Sequence, residues 1–226
     1  MTKAPRTERD AVAMLLAPAA EGPRLRKRER TRQQLVVAAI RIIAADGLAS
    51  ATPGQIATAA DVTSVTFYNH FRSKAEIVNA VALFIAETLR RRSAPSRAGL
   101  ASGAERMAAG CLRYLHLAEL SPAFASLVLE VAEAEPELLE RIGAFVQSEL
   151  RQGIRDKDFV PAAEAAAIDL VVGSVMRGMR RIARGGAPRS YRRDITLAIL
   201  QGLGLPRAKA SRIISRPLDT LIGKIP

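Results

Sequence analysis

Residues 61–74 read DVTSVTFYNHFRSK, and four rings (Phe67, Tyr68, His70 and Phe71) fall within five positions of a chain that is 4% aromatic. Small hydroxyl residues stand at Thr63, Ser64 and Thr66, and basic groups follow at Arg72 and Lys74. Wound as a helix at about 100° per residue, the segment brings Phe67 and Phe71 together on one side. Ser64, Val65, Tyr68 and Asn69 share the opposite arc, with Thr66 and His70 on a flank. One side therefore holds the helix down and the other is a small hydrogen-bonding surface. So short a helix does not form alone. Held across a tight turn from another helix, it has the arrangement that enters a DNA major groove.

Upstream, a helix is expected over about residues 29–45, with Leu35, Ala38, Ala39, Ile42 and Ile43 as its apolar stripe and Gly47 as its C-cap. TPGQIATAA (52–60) opens a second, with Thr52 as N-cap, Pro53 at the first helical position and Gln55 completing a capping box. Asp61-Val62 makes the break, and Thr63 caps the third helix. Ser73 and Glu76 cap a fourth, which carries Ile77, Val81, Ile85 and Leu89 and closes on Arg90, Arg91 and Arg92. RLRKRERTR (24–32) sets six basic residues against one acid just before the first helix, a concentration of like charge that repels itself unless an anion lies nearby. Lys74, in the first turn of a helix, opposes the macrodipole and is expected to meet a phosphate there.

The expected organisation is a flexible arm (1–23), a helix-turn-helix unit (24–92) and a larger helical domain (93–226) that begins with the linker SAPSRAGLASG. The chain has 226 residues, 49% of them hydrophobic, in alanine- and leucine-rich runs without the alternation of strands, so the expected fold class is all-α. Every long apolar run is interrupted by charge within about 18 residues, and no membrane span is expected. Cys111 is the single cysteine, which forbids an internal disulfide and suits a reducing cytoplasm. Net charge is +12; residues 1–95 hold 15 basic and 8 acidic groups, whereas residues 96–226 hold 19 and 14. The shorter first part is the more positive, so a polyanion-facing surface is expected there.

The segments RTRQQLVVAAIRIIAADG, TPGQIATAADV and TSVTFYNHFRSK resemble the DNA-binding domain of TetR-family transcriptional regulators. The resemblance implies base-reading positions at Ser64 and Val65, backbone-phosphate contacts from Thr66, Tyr68, His70 and Lys74, and a further one from Thr52; Asn69 lies on the same outer arc. Asp61 stands where the family usually has glycine, and Asp tolerates left-handed geometry better than most residues. Val65 also replaces a frequent glycine and offers apolar contact alone, such as to a thymine methyl. The resemblance further implies a three-helix DNA-binding domain joined by an exit helix to a helical ligand-binding and dimerisation domain. The implied partners are double-stranded DNA with a palindromic operator, a small-molecule effector and a second copy of the chain.

Beyond residue 100 the resemblance is architectural. Met107, Cys111 and Tyr114 step along one helix face, and with Phe124, Phe145, Met176 and Met179 they are the candidate lining of a largely apolar pocket. Any one of them, taken singly, reads rather as plain core. His116 reads as a ligand donor or a surface histidine. Glu130, Glu133, Glu135, Glu137 and Glu140 form an acidic run, either a pocket mouth that attracts cations or a solvated loop and helix start. The helices expected over about 161–184 and 191–203 carry small residues, Ala165, Ala166 and Gly173, and are the candidate dimer surface.

Two histidines, no nucleophile–base grouping, no phosphate-cradling glycine loop and no metal-ligand spacing argue against an enzyme, a metal or a cofactor. Two alternatives remain: a sequence-indifferent architectural DNA-binding protein, and a regulator controlled by a protein partner.

Overall fold

A computed structural model describes residues 12, 13, 16, 26–160 and 163–223. All regular structure among them is helical: α1 (Lys27–Asp46), a 3-10 turn (Leu48–Ser50), α2 (Pro53–Ala59), α3 (Ser64–Tyr68), α4 (Lys74–Ala98), α5 (Gly103–Leu120), α6 (Pro122–Ala134), α7 (Pro136–Arg155), α8 (Glu164–Ala183), α9 (Tyr191–Gly202), α10 (Arg207–Ile214) and α11 (Leu218–Ile222). The all-α expectation holds. No single helix among the described residues is long and apolar enough to cross a membrane.

The helix starts follow the cap chemistry. Thr52 Oγ1 accepts from the Gln55 amide at 3.3 Å, and the Gln55 side-chain oxygen accepts from the Thr52 amide at 3.4 Å. Thr63 Oγ1 accepts from the Thr66 amide at 3.2 Å, and Ser73 Oγ from the Glu76 amide at 3.2 Å. Each satisfies an N–H that the helix itself leaves unbonded. Between α2 and α3 the turn closes with Val62 N donating to Ala57 O (3.0 Å) and Asp61 N to Thr58 O (3.1 Å), the paired bonds of a Schellman ending. Asp61 sits there at φ 55°, in the left-handed geometry the sequence anticipated for it.

Leu35, Ile40, Ile43, Ile56, Phe67, Phe71 and Ile77 fill the centre of the α1–α4 unit, and their cluster continues without a break into the core of the C-terminal helices. In that second part α5 is the hub, packed against α6, α7, α8, α9 and α11. The exit helix α4 runs on past Arg92, through Pro95, to Ala98, shortening the expected linker to a few residues. Proline removes one donor from the ladder, but α11 packs on this end of α4, and Ser93, buried, bonds its hydroxyl to Arg90 O at 2.8 Å. Tertiary packing outweighs the local break. Of the expected arm, Val12 and Leu16 are half-buried against the core and, with Ala13, helical; the other residues of 1–23 lie outside the described ones.

α5 and α7 run antiparallel and meet backbone to backbone at Gly103 and Gly153. A Cβ built on Gly103 would stand 2.2 Å from the Gly153 nitrogen and 2.6 Å from its Cα. Further along α5, a Cβ on Gly110 would meet nothing within 4 Å. Alanine favours a helix interior over glycine by about 1 kcal/mol, so Gly110→Ala is expected to raise the urea midpoint of unfolding. Gly103→Ala is expected to lower it, because a methyl group cannot enter that crossing without parting the helices.

Candidate nucleic-acid interface and effector cavity

α3 is seated as its ring pattern requires. Phe67 and Phe71 are fully buried, their centroids 5.9 Å apart, and Tyr68 meets Phe67 edge-on at 5.4 Å. The opposite arc is open: Val65 is 71% exposed and Tyr68 56%, and Ser64 and Asn69 are exposed beside them. Thr66 and His70 lie on the flank, and Thr52 is exposed at the start of α2. The basic N-terminal end of α1 stands beside this helix, with the Arg32 guanidinium 4.7 Å from the Phe71 ring centroid. Burial, then the charges of Arg28 and Arg32, holds the His70 pKa below its ordinary 6.5.

Lys74 requires a correction. The sequence offered no structural partner for an ammonium in a first turn, yet Nζ donates to Leu48 O at 2.6 Å and to Ala49 O at 3.2 Å. It reaches away from its own helix dipole to two carbonyls of the 3-10 turn, of which Leu48 O also accepts from the Ala51 amide at 3.2 Å. The amide of the same Leu48 donates to Glu130 Oε2 of α6 at 2.5 Å. The acidic run is therefore not merely solvated. Glu130 holds the turn, Glu137 and Glu135 accept from Asn79 Nδ2 of α4 at 2.9 and 3.4 Å, and Glu133 lies 3.6 Å from Arg180. Long-range contacts such as these leave no trace in a local sequence pattern.

A cavity of about 540 Å³ lies between α4, α5 and α7, of a size that suits a small organic ligand. A narrower apolar recess behind it reaches α8. Tyr114 and Phe145 line both spaces, and Met107, Cys111 and Met176 line the recess. Phe124 and Met179 line neither; both are fully buried core, which corrects their place among the candidate lining residues. His116 is tied into a network at the surface, its Nδ1 2.7 Å from Arg192 Nη1 and 3.3 Å from Glu119. Reading for large apolar side chains missed the arginines: Arg90, Arg97, Arg106, Arg113 and Arg141 line the cavity, with Glu87 as the one acid among the described lining residues. A signal was present in the steps Arg106, Gly110 and Arg113, which repeat the Met107, Cys111, Tyr114 stripe one position earlier, about 100° around the helix.

The outward face of α8 carries Ala166, Leu170 (39% exposed), Gly173 and Arg177, and exposed Ala198 and Gly202 lie on α9 beside it. A Cβ on Gly173 would meet nothing within 4 Å, whereas one on Gly202 would come within 2.7 Å of Leu170 Cδ2.

Removing the Lys74 ammonium takes a charged donor away from two carbonyls of the turn, whereas removing the Tyr68 ring uncovers little. Lys74→Ala is therefore expected to lose about 1–2 kcal/mol of stability in chemical denaturation, with Tyr68→Ala close to wild type.

Residues 35–81 match the family model of bacterial regulatory proteins of the TetR family. The chain is 32% identical over 137 residues to the HTH-type transcriptional regulator TcmR of Streptomyces glaucescens; the match takes in 58% of this chain and 61% of that relative. Its fold is similar to that of RolR crystallised with resorcinol (TM-score 0.71, 22% identity, 88% of this chain and 98% of that one). It is also similar to a gamma-butyrolactone receptor described as ArpA-like (TM-score 0.61, 21% identity, 84% and 97%). What these matches share is the N-terminal helical unit, whose residues 35–81 are similar to the DNA-binding domain of TetR-family bacterial regulatory proteins.

Proposed function

We infer that the chain is a ligand-controlled transcriptional regulator, a homodimer that binds a palindromic operator and releases it when a small molecule fills the cavity. The observation that carries this reading is α4. Its first residue, Lys74, grips the Leu48–Ser50 turn of the DNA-facing unit, and its later turns, at Leu83, Ala86, Leu89 and Ser93, wall the cavity. A ligand that fits one position of α4 better than another therefore biases the placement of α3. The coupling is reciprocal: operator DNA weakens ligand binding by the factor that ligand weakens DNA binding. RolR is described in complex with resorcinol, and the corresponding region of this chain is the place to look for an effector.

On DNA, Ser64 and Val65 would read base edges, with Asn69 beside them, while Thr52, Thr66, Tyr68 and His70 would set the register on phosphates. Lys74, held by two carbonyls, would contribute charge more than a directed contact. The Ala166–Gly173 face of α8, together with α9, supplies the two-fold surface. Small residues there let the helices of two copies approach closely.

Selection of bound fragments from sheared genomic DNA at near-physiological salt tests the reading. Fragments sharing a palindrome are expected; fragments without a common motif, bound with an affinity that collapses on adding salt, favour the architectural alternative. With the operator in hand, Tyr68→Ala is expected to weaken every sequence alike, and Ser64→Ala to shift the preferred base. Gly173→Arg should give a monomer in sedimentation and lose cooperative operator binding.

The His70 pKa gives a pH test with a definite sign. A nearby phosphate raises a pKa that burial and two arginines hold down, so binding takes up a proton. Operator affinity should then rise as pH falls through about 6.5, and His70→Gln should flatten that rise. The unbound protein changes in the opposite sense. Its imidazole takes up a proton at lower pH than that of the unfolded chain, which does so near about 6.5, so stability present above that pH declines as pH falls.

A further inference from the structure

Arg113 is a cation without a counterion. It is 8% exposed, and among the described residues its side chain donates to Ser96 Oγ of α4 and forms no ion pair. The other cavity arginines are compensated or wet. Arg97 pairs with buried Glu149 and lies over the Phe145 ring at 4.4 Å; Arg90 pairs with Glu87 at 2.8 Å and Arg141 with Glu137 at 2.7 Å, both exposed; Arg106 donates to Leu100 O at 3.3 Å. Burial pulls the Arg113 pKa below its ordinary value. A guanidinium keeps its charge regardless, because its ordinary pKa is above about 12. It carries about five donors, and the one bond to Ser96 leaves most of the fork facing the cavity that Arg113 lines.

Next to it, Tyr114 lines the same cavity, and its hydroxyl has no hydrogen-bond partner among the described residues. Burial raises its pKa to about 12, so it remains a neutral phenol that can donate. Apart from the arginines, Glu87 and Ser93, the wall is apolar, with Leu83, Leu89, Ala109, Ile142 and Phe145.

The geometry points to an organic anion as the effector: an apolar, ring-sized body whose carboxylate or other oxyanion pairs with the Arg113 guanidinium, with the Tyr114 hydroxyl as a second donor. This rests on the reading of the cavity as the effector site. Leaving a buried cation unpaired is costly, and supplying its partner recovers that cost. A neutral ligand of the same shape would leave Arg113 as it is. Because the guanidinium is also bonded to Ser96, an anion drawn to it is placed directly against α4.

The full-length protein is titrated with two fluorescent probes, 1-anilinonaphthalene-8-sulfonate and N-phenyl-1-naphthylamine, which share an aromatic body and differ by the sulfonate. The sulfonate is expected to bind about tenfold tighter or better. Arg113→Met, which keeps an unbranched apolar stem and removes charge, should abolish that preference while leaving the neutral probe within about twofold; Arg113→Lys should keep part of it. Gly110→Leu, which projects into open space at the cavity wall, should block both probes. Equal binding of the two probes to the wild-type protein, or a sulfonate affinity that Arg113→Met leaves unchanged, overturns the anionic class while the effector site stands. Failure of both probes to bind, or binding that Gly110→Leu leaves intact, removes the effector site and the anionic class together. The wild-type comparison holds whatever the variants do to folding.

Discussion

The Leu48–Ser50 turn is held from two sides by opposite charges. The carboxylate of Glu130, from α6, takes the Leu48 amide, and the ammonium of Lys74, from α4, takes the carbonyls of Leu48 and Ala49. Each charge meets the end of the peptide dipole that it favours, and charge-assisted bonds of this kind are stronger than neutral ones. Three segments distant in sequence are thereby fastened at one point, where α1 hands over to the helix-turn-helix. Domains joined by a thin contact move independently by default. Here the contact is directed and partly shielded from water, and it ties α4 and α6 to the turn that leads into α2.

The same helix α4 meets two different electrostatic surroundings. At its start, Lys74 finds fixed partners and is a structural cation. Near its end, Ser96 accepts a bond from Arg113, whose charge has no ion-pair partner among the described residues. A site that leaves one charge unneutralised stores a preference for whatever supplies the missing one. That preference lies against the element that also holds the Leu48–Ser50 turn.

Most of the fold was legible because helix capping is local chemistry. Thr52, Thr63 and Ser73 each cap as their neighbours demanded, and Asp61 takes the left-handed turn that its short polar side chain tolerates. What was not legible depends on partners far away in sequence. Lys74 looked misplaced because its partners lie 25 and 26 residues earlier. The glutamates from Glu130 onward looked solvated because their partners are in α4, in α8 and in the turn that follows α1. Met176 and Met179 are one turn apart with the same chemistry, and only the packing around α8 makes one a cavity wall and the other core. Arg113 escaped notice because a charge on a helix is ordinarily a surface feature.

The contact of Gly103 with Gly153 fixes where α5 and α7 can pivot. With no side chain between them, the two helices cannot slide past one another or draw closer at that end, and the cavity lies further along the same pair. Its volume can change chiefly by angle, as the opening of a pair of tongs changes around a rivet. The residues nearest the rivet travel least and those at Tyr114 and Ile142 travel most. Molecules of different girth entering the cavity would then be told apart at the far end of the crossing, while the near end stays the same for all of them.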